Sequence, residues 1–308
     1  MPFESMTDDA KSEVFTPARI TLDRHRNITM EKFYAAVQLR MLSLNSVRLN
    51  LGDLSETTLT LTREMISMNN SSYTAWALRR KCLEEQDDTG ILQEVGFVDD
   101  WCEKSPKNYQ VWFHRRWLVE ALLHRGLKSI PDLISSECSA LKRLIDTEPK
   151  HYHGWGHRMY IANLFSLFES HSELEFSIRY ISQDVRNNSA WNHRRRAIRN
   201  HPYLLNDEIG FAVSQISLCL GNESAWVYLR SLEGWHKHEK VIKFFASSLI
   251  YEQGTYLLYR HAIESFAMCL NLDGKSEKGL ELIQQLRKQD KNRENVLALR
   301  LFRNLSTT

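Results

Sequence analysis

Histidine and arginine side chains recur at fixed distances from tryptophan along this 308-residue sequence. His114, His157 and His193 each follow a tryptophan by two residues, and three arginines stand in succession at 194–196. Histidines can bind metals, and arginines can contact phosphate. The histidine position recurs with the repeat, which indicates a structural role. A run of arginines such as this one more commonly lies on the solvent-exposed face of a helix.

The sequence lacks the local motifs of several enzyme classes. It contains no glycine-rich phosphate loop, no His-Glu-x-x-His zinc helix, no Gly-x-Ser-x-Gly nucleophile motif and no Cys and His set at metal-binding spacing. Judged from its residues alone, the chain therefore does not look like a complete enzyme.

A tryptophan that recurs in a similar context organises the chain. The block reads Ser-Ser-Tyr-Thr-Ala-Trp at 71–76 and Lys-Asn-Tyr-Gln-Val-Trp at 107–112. The five tryptophans are Trp76, Trp112, Trp155, Trp191 and Trp226. Their spacings are 36, 43, 36 and 35 residues, and a longer loop at 124–131 accounts for the largest one. Repeats of this length, opened by turn residues, predict stacked helical hairpins.

The predicted fold class is all-α, an α-α superhelix in which helical hairpins form a crescent. Residues 1–29 are polar and aperiodic, which predicts an irregular N-terminal arm, and residues 30–308 are predicted to form a single helical-repeat domain. Apolar spacing predicts helices at 30–44 and 55–68. Three or four amphipathic helices within 238–305 are expected to cap the C-terminal end of the array.

The amino-acid composition is typical of a globular protein that has a hydrophobic core and a surface exposed to water. With 40 basic and 38 acidic residues, the net charge of +2 predicts no general attraction to nucleic acid. No apolar run reaches the roughly 18–20 residues that a membrane span needs, so no stable membrane insertion is expected. Five widely spaced cysteines are typical of reduced thiols, and a cytoplasmic location is expected.

Three blocks closely resemble the repeat of protein prenyltransferase α subunits. They are Pro106–Arg116 (Pro-Lys-Asn-Tyr-Gln-Val-Trp-Phe-His-Arg-Arg), Asp184–Arg194 and Gly221–Trp226. Their wording is most similar to the α subunit that protein farnesyltransferase and geranylgeranyltransferase type I share. The resemblance extends over roughly residues 30–235, with a weaker echo in the C-terminal helices.

The resemblance implies a heterodimer in which this chain wraps around a prenyltransferase β subunit. That partner would hold the catalytic zinc, which keeps the acceptor cysteine as a thiolate. The thiolate would attack farnesyl or geranylgeranyl diphosphate, and magnesium can accompany the diphosphate. The implied acceptors are proteins that end in a CaaX motif, such as small GTPases.

The resemblance also implies which residues of this chain reach the shared site. Lys107 and Tyr152 are the implied catalytic residues. An ammonium group at Lys107 would stabilise the charge that builds up on the leaving diphosphate, and Tyr152 and His153 would donate hydrogen bonds there. Gln110 is implied to bind the terminal carboxylate of the CaaX motif, and Tyr109 and His153 to line the substrate site.

Other interpretations of these residues stay open. Lys150 and Tyr73 occupy the positions of Lys107 and Tyr109 in other repeats, so both positions can be purely structural. His151 stands where the family usually has asparagine, and the cap of that helix is expected to differ. The alternatives for the whole chain are a Rab geranylgeranyltransferase α subunit and a noncatalytic helical-repeat scaffold.

Overall fold

The computed structural model describes residues 54–248 and 260–289. Within these ranges all regular elements are helical and no strand occurs, which confirms the all-α prediction. The arm predicted at 1–29, the helix predicted at 30–44 and the part of the predicted C-terminal helices after 289 lie outside the described residues.

The helices alternate with short turns along the described ranges. In chain order they are α1 (Glu56–Met68), α2 (Tyr73–Glu84), α3 (Asp88–Lys104), α4 (Tyr109–His124), α5 (Ile130–Thr147), α6 (Tyr152–Leu164), α7 (Ser172–Gln183), α8 (Asn188–Ile198), α9 (Leu205–Leu218), α10 (Glu223–Arg230), α11 (Glu239–Ser248), α12 (Arg260–Leu272) and α13 (Ser276–Gln289). Short 3₁₀ segments lie at Leu167–Glu169, Pro202–Leu204 and Trp235–Lys237. The helix predicted at 55–68 is therefore confirmed as α1.

Neighbouring helices pack in pairs as the hairpin prediction requires. The packed pairs include α1 with α2, α3 with α4, α7 with α8, α9 with α10, and α12 with α13. The blocks of four tryptophans begin the second helix of a packed pair, so the repeat in the sequence is a repeat of helical hairpins; these are Trp76, Trp112, Trp191 and Trp226.

The chain divides into two compact units between Leu133 and Ile134. The first unit contains α1 to α4, and the second contains α6 to α13; the division falls within α5. The single helical-repeat domain over 30–308 stays a prediction.

A side-chain cap begins each of the five second helices. Ser72 caps α2 and Asn187 caps α8, each by accepting a backbone N–H from three residues ahead. Asn108 caps α4 in the same manner from two residues ahead. His151 caps α6 with Nδ1, which accepts the N–H of Gly154 at 2.9 Å. The expected difference at His151 is thus that a ring nitrogen accepts the capping hydrogen bond in place of an asparagine oxygen. A side-chain cap contributes about 1 kcal/mol to the stability of the fold.

The repeating tryptophans are buried and anchor the turn before their own helix. The indole N–H of Trp76 donates to the carbonyl of Asn70 at 2.8 Å, and that of Trp191 donates to the carbonyl of Val185 at the same distance. The same carbonyls accept a second bond from the next repeat, from Nδ2 of Asn108 and of Asn222, respectively. Because buried polar groups need partners, this shared acceptor fixes the turns against each other.

None of the helices in the described ranges combines the length and the apolar character needed to cross a lipid bilayer.

Candidate functional site

A buried set of ion pairs holds the second helices in place. In the first unit, Arg79 donates two hydrogen bonds to the carboxylate of Glu94, at 2.8 and 2.6 Å. Nε2 of His114 lies 2.8 Å from the same carboxylate. An arginine from one hairpin and a histidine from the next therefore share one glutamate.

The second unit repeats this arrangement. Arg158 donates to both oxygens of Glu173, at 3.0 and 2.7 Å, and Nε2 of His193 lies 2.6 Å from Glu173. One hairpin further on, Arg194 pairs with Glu208, which accepts a hydrogen bond from the hydroxyl of Tyr228 at 2.6 Å. The histidine position is thus a structural one, as the sequence indicated.

Protonation follows from burial and pairing. Burial lowers the pKa of His114 and His193, so both imidazoles are neutral and donate through Nε2. Burial raises the pKa of Glu94, but its hydrogen bonds from His114 and Arg79 outweigh burial and leave that pKa below its ordinary value. The carboxylate is therefore charged and holds both donors.

The first three predicted site residues lie in the turn between α3 and α4 and at the start of α4. Lys107 is exposed in the turn, and Tyr109, the first residue of α4, is 58% exposed. Gln110 follows, and its backbone N–H donates to the capping side chain of Asn108 at 2.9 Å. The cap thus fixes the backbone on which all three side chains stand.

Gln110 combines burial with an incomplete set of hydrogen bonds. Its side chain is only 8% exposed. Its Oε1 is buried and has no hydrogen-bond partner among the residues that the structure describes. A buried amide oxygen without a donor costs about 1–3 kcal/mol, so this atom is suited to a donor from a bound molecule.

The other two predicted site residues begin α6 in the second unit. Tyr152 is 80% exposed, and its ring meets the half-buried ring of His153 edge to face, with centroids 5.2 Å apart. The capping ring of His151 lies 6.3 Å from that of His153. The phenol of Tyr152 and the imidazoles of His151 and His153 therefore lie next to one another at the start of this helix.

The structure brings the predicted residues together in two groups. Lys107, Tyr109 and Gln110 form one group in the first unit, and Tyr152 and His153 form the other in the second unit. Both groups lie at the N-terminus of the second helix of a hairpin. The first backbone N–H groups of a helix have no acceptor within the helix, so this end favours negative charge. Their catalytic and binding roles stay predictions.

Lys150 has a structural partner in the corresponding turn of the next repeat. Its Nζ lies 2.7 Å from Oδ2 of Asp184, and this hydrogen bond lowers the pKa of the Asp184 carboxyl. The pair is partly exposed and so contributes at most about 1 kcal/mol. The structural interpretation of a turn lysine therefore applies to Lys150.

Two features of these helices escaped the sequence analysis. The first feature is the set of glutamates that pair with the arginines. The sequence indicates them only weakly, because Glu94 and Glu173 each follow a repeat tryptophan by 18 residues. The second feature is Arg80, whose guanidinium lies 4.7 Å from the ring centroid of Phe113. Its only signal is its place beside Arg79 in a pair of arginines.

Histidine, cysteine, aspartate and glutamate side chains form no group of three or more that could hold a metal ion within residues 54–248 and 260–289.

A protein-family comparison matches four consecutive hairpins of the described residues. The family is described as protein prenyltransferase alpha subunit repeat, and its pattern matches residues 55–86, 91–122, 134–165 and 170–201. These segments correspond to the hairpins that begin at α1, α3, α5 and α7.

Curated relatives include alpha subunits of geranylgeranyl transferase type-2. The chain is 24% identical to the one from Rattus norvegicus over 204 residues, which are 59% of this chain and 35% of that protein. It is 26% identical to the one from Candida albicans over 214 residues, which are 63% of this chain and 53% of that protein. The chain thus spans only about a third to a half of the length of these relatives.

Among solved structures, the fold is similar to Candida albicans protein geranylgeranyltransferase-I complexed with GGPP. The TM-score is 0.72 at 22% sequence identity, and the likeness covers 88% of this chain and 91% of that chain. The likeness in fold agrees with the matched repeats. Four segments within residues 55–201 therefore match the protein prenyltransferase alpha subunit repeat.

Proposed function

We propose that this chain is the α subunit of a heterodimeric protein prenyltransferase. Such an enzyme transfers an isoprenoid from its diphosphate to a cysteine of an acceptor protein. The observation that carries the proposal is the position of Lys107, Tyr109 and Gln110. They stand together at the capped start of α4, inside a repeat that the family pattern matches.

Lys107 is proposed to stabilise the leaving diphosphate. Its side chain is exposed in the turn before α4, where it can reach a ligand held by a partner. Negative charge grows on the leaving group in the transition state, and an ammonium placed there lowers the barrier. Tyr152, exposed at the start of α6, is proposed to donate its hydroxyl proton in a hydrogen bond to the same group.

Gln110 is proposed to bind the C-terminal end of the acceptor. Its amide can donate through Nε2 to a carboxylate, and its Oε1 can accept an N–H from the bound chain. The lack of a protein partner for Oε1 among the described residues supports this role. Tyr109 and His153 would provide the ring surfaces beside the bound groups.

The acceptor cysteine needs activation that the proposal assigns to the β subunit. A zinc ion held there would supply a thiolate at neutral pH. What this chain's residues do is bind and orient the diphosphate and the acceptor.

We favour the enzyme class shared by farnesyltransferase and geranylgeranyltransferase type I, which acts on CaaX-terminated proteins. The wording of the block at 106–116 supports this class. The second candidate is a Rab geranylgeranyltransferase, supported by the relatives from Rattus norvegicus and Candida albicans, which are type-2 alpha subunits.

Co-purification with candidate β subunits from the same source tests the proposal. The tagged chain is expected to form a one-to-one complex with the farnesyl or type I β subunit, and the complex should prenylate a CaaX peptide. Pairing only with the Rab-type β subunit, with transfer to a Rab protein, would establish the second candidate. If the chain pairs with none of them, the noncatalytic scaffold becomes the better account.

A further inference from the structure

Buried arginines in the described ranges are paired with carboxylates, with a single exception. The pairs are Arg79 with Glu94, Arg115 with Asp99, Arg158 with Glu173, and Arg194 with Glu208. The exception is Arg80, which is only 9% exposed. Because pairing is the rule for buried arginines in this chain, the exception needs a reason.

Arg80 forms no ion pair with a carboxylate of the described residues. Its Nη1 is buried and makes no hydrogen bond to any described residue. The guanidinium lies 4.7 Å from the centroid of the Phe113 ring. The face of the ring attracts the cation, but it does not replace a hydrogen-bond acceptor for the guanidinium N–H groups. Burial accordingly lowers the pKa of Arg80, although the influence of Tyr73, Glu84 and Tyr109 acts against this.

Exposed aromatic rings surround this arginine. Tyr73 is 66% exposed, Tyr109 58% and Phe113 43%. The rings of Tyr109 and Phe113 stack with centroids 6.1 Å apart. We call Tyr73, Arg80, Tyr109 and Phe113 the Arg80 patch; it lies entirely within the first unit, on α2 and α4.

The composition of the Arg80 patch is that of a protein-binding surface. Tyrosine and arginine dominate binding hot spots, and contiguous exposed rings mark surfaces that a partner covers. A buried cation without a partner is costly to fold, and a carboxylate in bidentate contact is the group that best satisfies a guanidinium. Three exposed rings offer more surface than a small anion covers, which favours a polypeptide as the occupant.

We propose that the Arg80 patch is a docking surface for the partner subunit. The partner would insert one aspartate or glutamate side chain to pair with Arg80, while neighbouring apolar atoms of the partner cover Tyr73 and Phe113. This inference rests on the proposed function, since it names the surface through which this chain holds its β subunit.

Binding measurements with the β subunit that forms the wild-type complex test this inference. Arg80→Met removes the charge and keeps most of the side-chain volume. It is expected to raise the dissociation constant about 30-fold or more, because the partner's carboxylate would be buried without its cation. Lys81→Met, which removes an exposed charge from the same helix, is the matched control and should change the constant less than about twofold.

Two further variants keep the test independent of folding defects. Tyr73→Ala removes an exposed ring without altering a buried charge, and we expect it to weaken the complex about tenfold. Arg80→Lys keeps the charge but loses the bidentate geometry, so its effect should fall between wild type and Arg80→Met. Circular dichroism of each isolated variant establishes that it is folded.

The outcomes separate this inference from the proposed function. A wild-type complex that is active, together with equal binding by Arg80→Met and Lys81→Met, overturns the docking surface and leaves the proposed function intact. Unchanged subunit binding by Arg80→Met with a raised KM for the acceptor peptide also overturns it, because the carboxylate would then come from the substrate. If the wild-type chain binds no β subunit, both proposals fail.

Discussion

Trp155 and Asn187 donate hydrogen bonds to one and the same carbonyl oxygen, that of Pro149. The indole Nε1 lies 2.8 Å from this oxygen and the asparagine Nδ2 lies 2.7 Å from it. Asn187 also caps α8 by accepting the N–H of Ala190 at 3.2 Å. A single side chain thus starts its own helix and fastens that start to the turn of the preceding repeat.

Replacement of Asn187 by alanine removes both bonds at once. Asn187→Ala is expected to lower the free energy of unfolding by about 1–3 kcal/mol, since it deletes a cap and leaves a buried N–H unsatisfied. Urea unfolding followed by circular dichroism measures the change. Asn192→Ala, an exposed substitution on the same helix, is the control, and an equal effect of the two would contradict the double role.

Neutralisation of a shared glutamate should cost more. Glu173→Gln leaves Arg158 and His193 facing a neutral amide in a buried position, and we expect a loss of about 3–5 kcal/mol. Glu175→Gln, an exposed change two residues away, should alter stability by less than about 0.5 kcal/mol. Chemical denaturation of both variants checks this, and similar midpoints would count against a structural role for the pair.

Stability should fall as the pH is lowered from neutrality. The folded pKa of His114 and of His193 is below the ordinary histidine value of 6.5, so the unfolded chain takes up protons first and stability is lost as the pH falls below about 6.5. The folded pKa of Glu94 and of Glu173 is below the ordinary glutamate value of 4.5, so a further loss of stability begins below that pH. Urea unfolding across pH 2 to 8 measures both phases.

A histidine variant separates the two phases of this pH dependence. In His193→Gln the amide can keep a hydrogen bond to Glu173 but cannot titrate. The decline between about pH 6.5 and 5 should therefore become shallower, while the decline below 4.5 persists. An identical pH profile in the variant and the wild type would show that His193 contributes nothing to it.

Lys107 is expected to act on the chemical step of the proposed reaction. In the heterodimer, Lys107→Ala should lower the single-turnover rate by about one to two orders of magnitude, because the leaving diphosphate loses a cation. Lys150→Ala removes the lysine at the same position of the next repeat, where Asp184 pairs with it, and should leave the rate near that of the wild type. Unchanged single-turnover chemistry in Lys107→Ala would remove this residue from the mechanism.

Gln110 is expected to act on acceptor binding. Gln110→Ala should raise KM for a CaaX peptide about tenfold and reduce the preference for a free carboxylate over a C-terminal amide. Thr74→Ala changes the same position in the first repeat, on an exposed side chain, and serves as the control. A KM that stays constant with both peptides would assign Gln110 to the fold alone.

Local patterns made the helical hairpins predictable. Tryptophan, a capping residue and the apolar spacing that follows lie within a few residues of one another, so the starts of α2 and α4 can be located from the sequence. The duty of His114 could also be anticipated, because the position recurs. Its acceptor could not be, since Glu94 lies 20 residues away and is chosen by the packing of one hairpin on the next.

Side-chain direction is what the sequence leaves open at the candidate site. Arg79 and Arg80 are neighbours of the same type, but only Arg79 forms an ion pair with a glutamate. Helix geometry turns successive side chains by about 100°, and which one meets a carboxylate depends on the neighbouring helices. For the same reason, the burial of Gln110 beside the exposed Tyr109 emerges only in three dimensions.

The shared glutamates also account for the residue that replaces arginine in the fifth repeat. Each needs an arginine from one repeat and a hydroxyl or imidazole donor from the next, so a repeat placed last would carry an arginine with no carboxylate to meet. The fifth repeat avoids this, because Leu229 replaces the arginine and is buried at 1% exposure, while Tyr228 still serves Glu208. Within the described residues, the series of shared glutamates therefore ends at Glu208, and Leu229 takes the place of the next arginine.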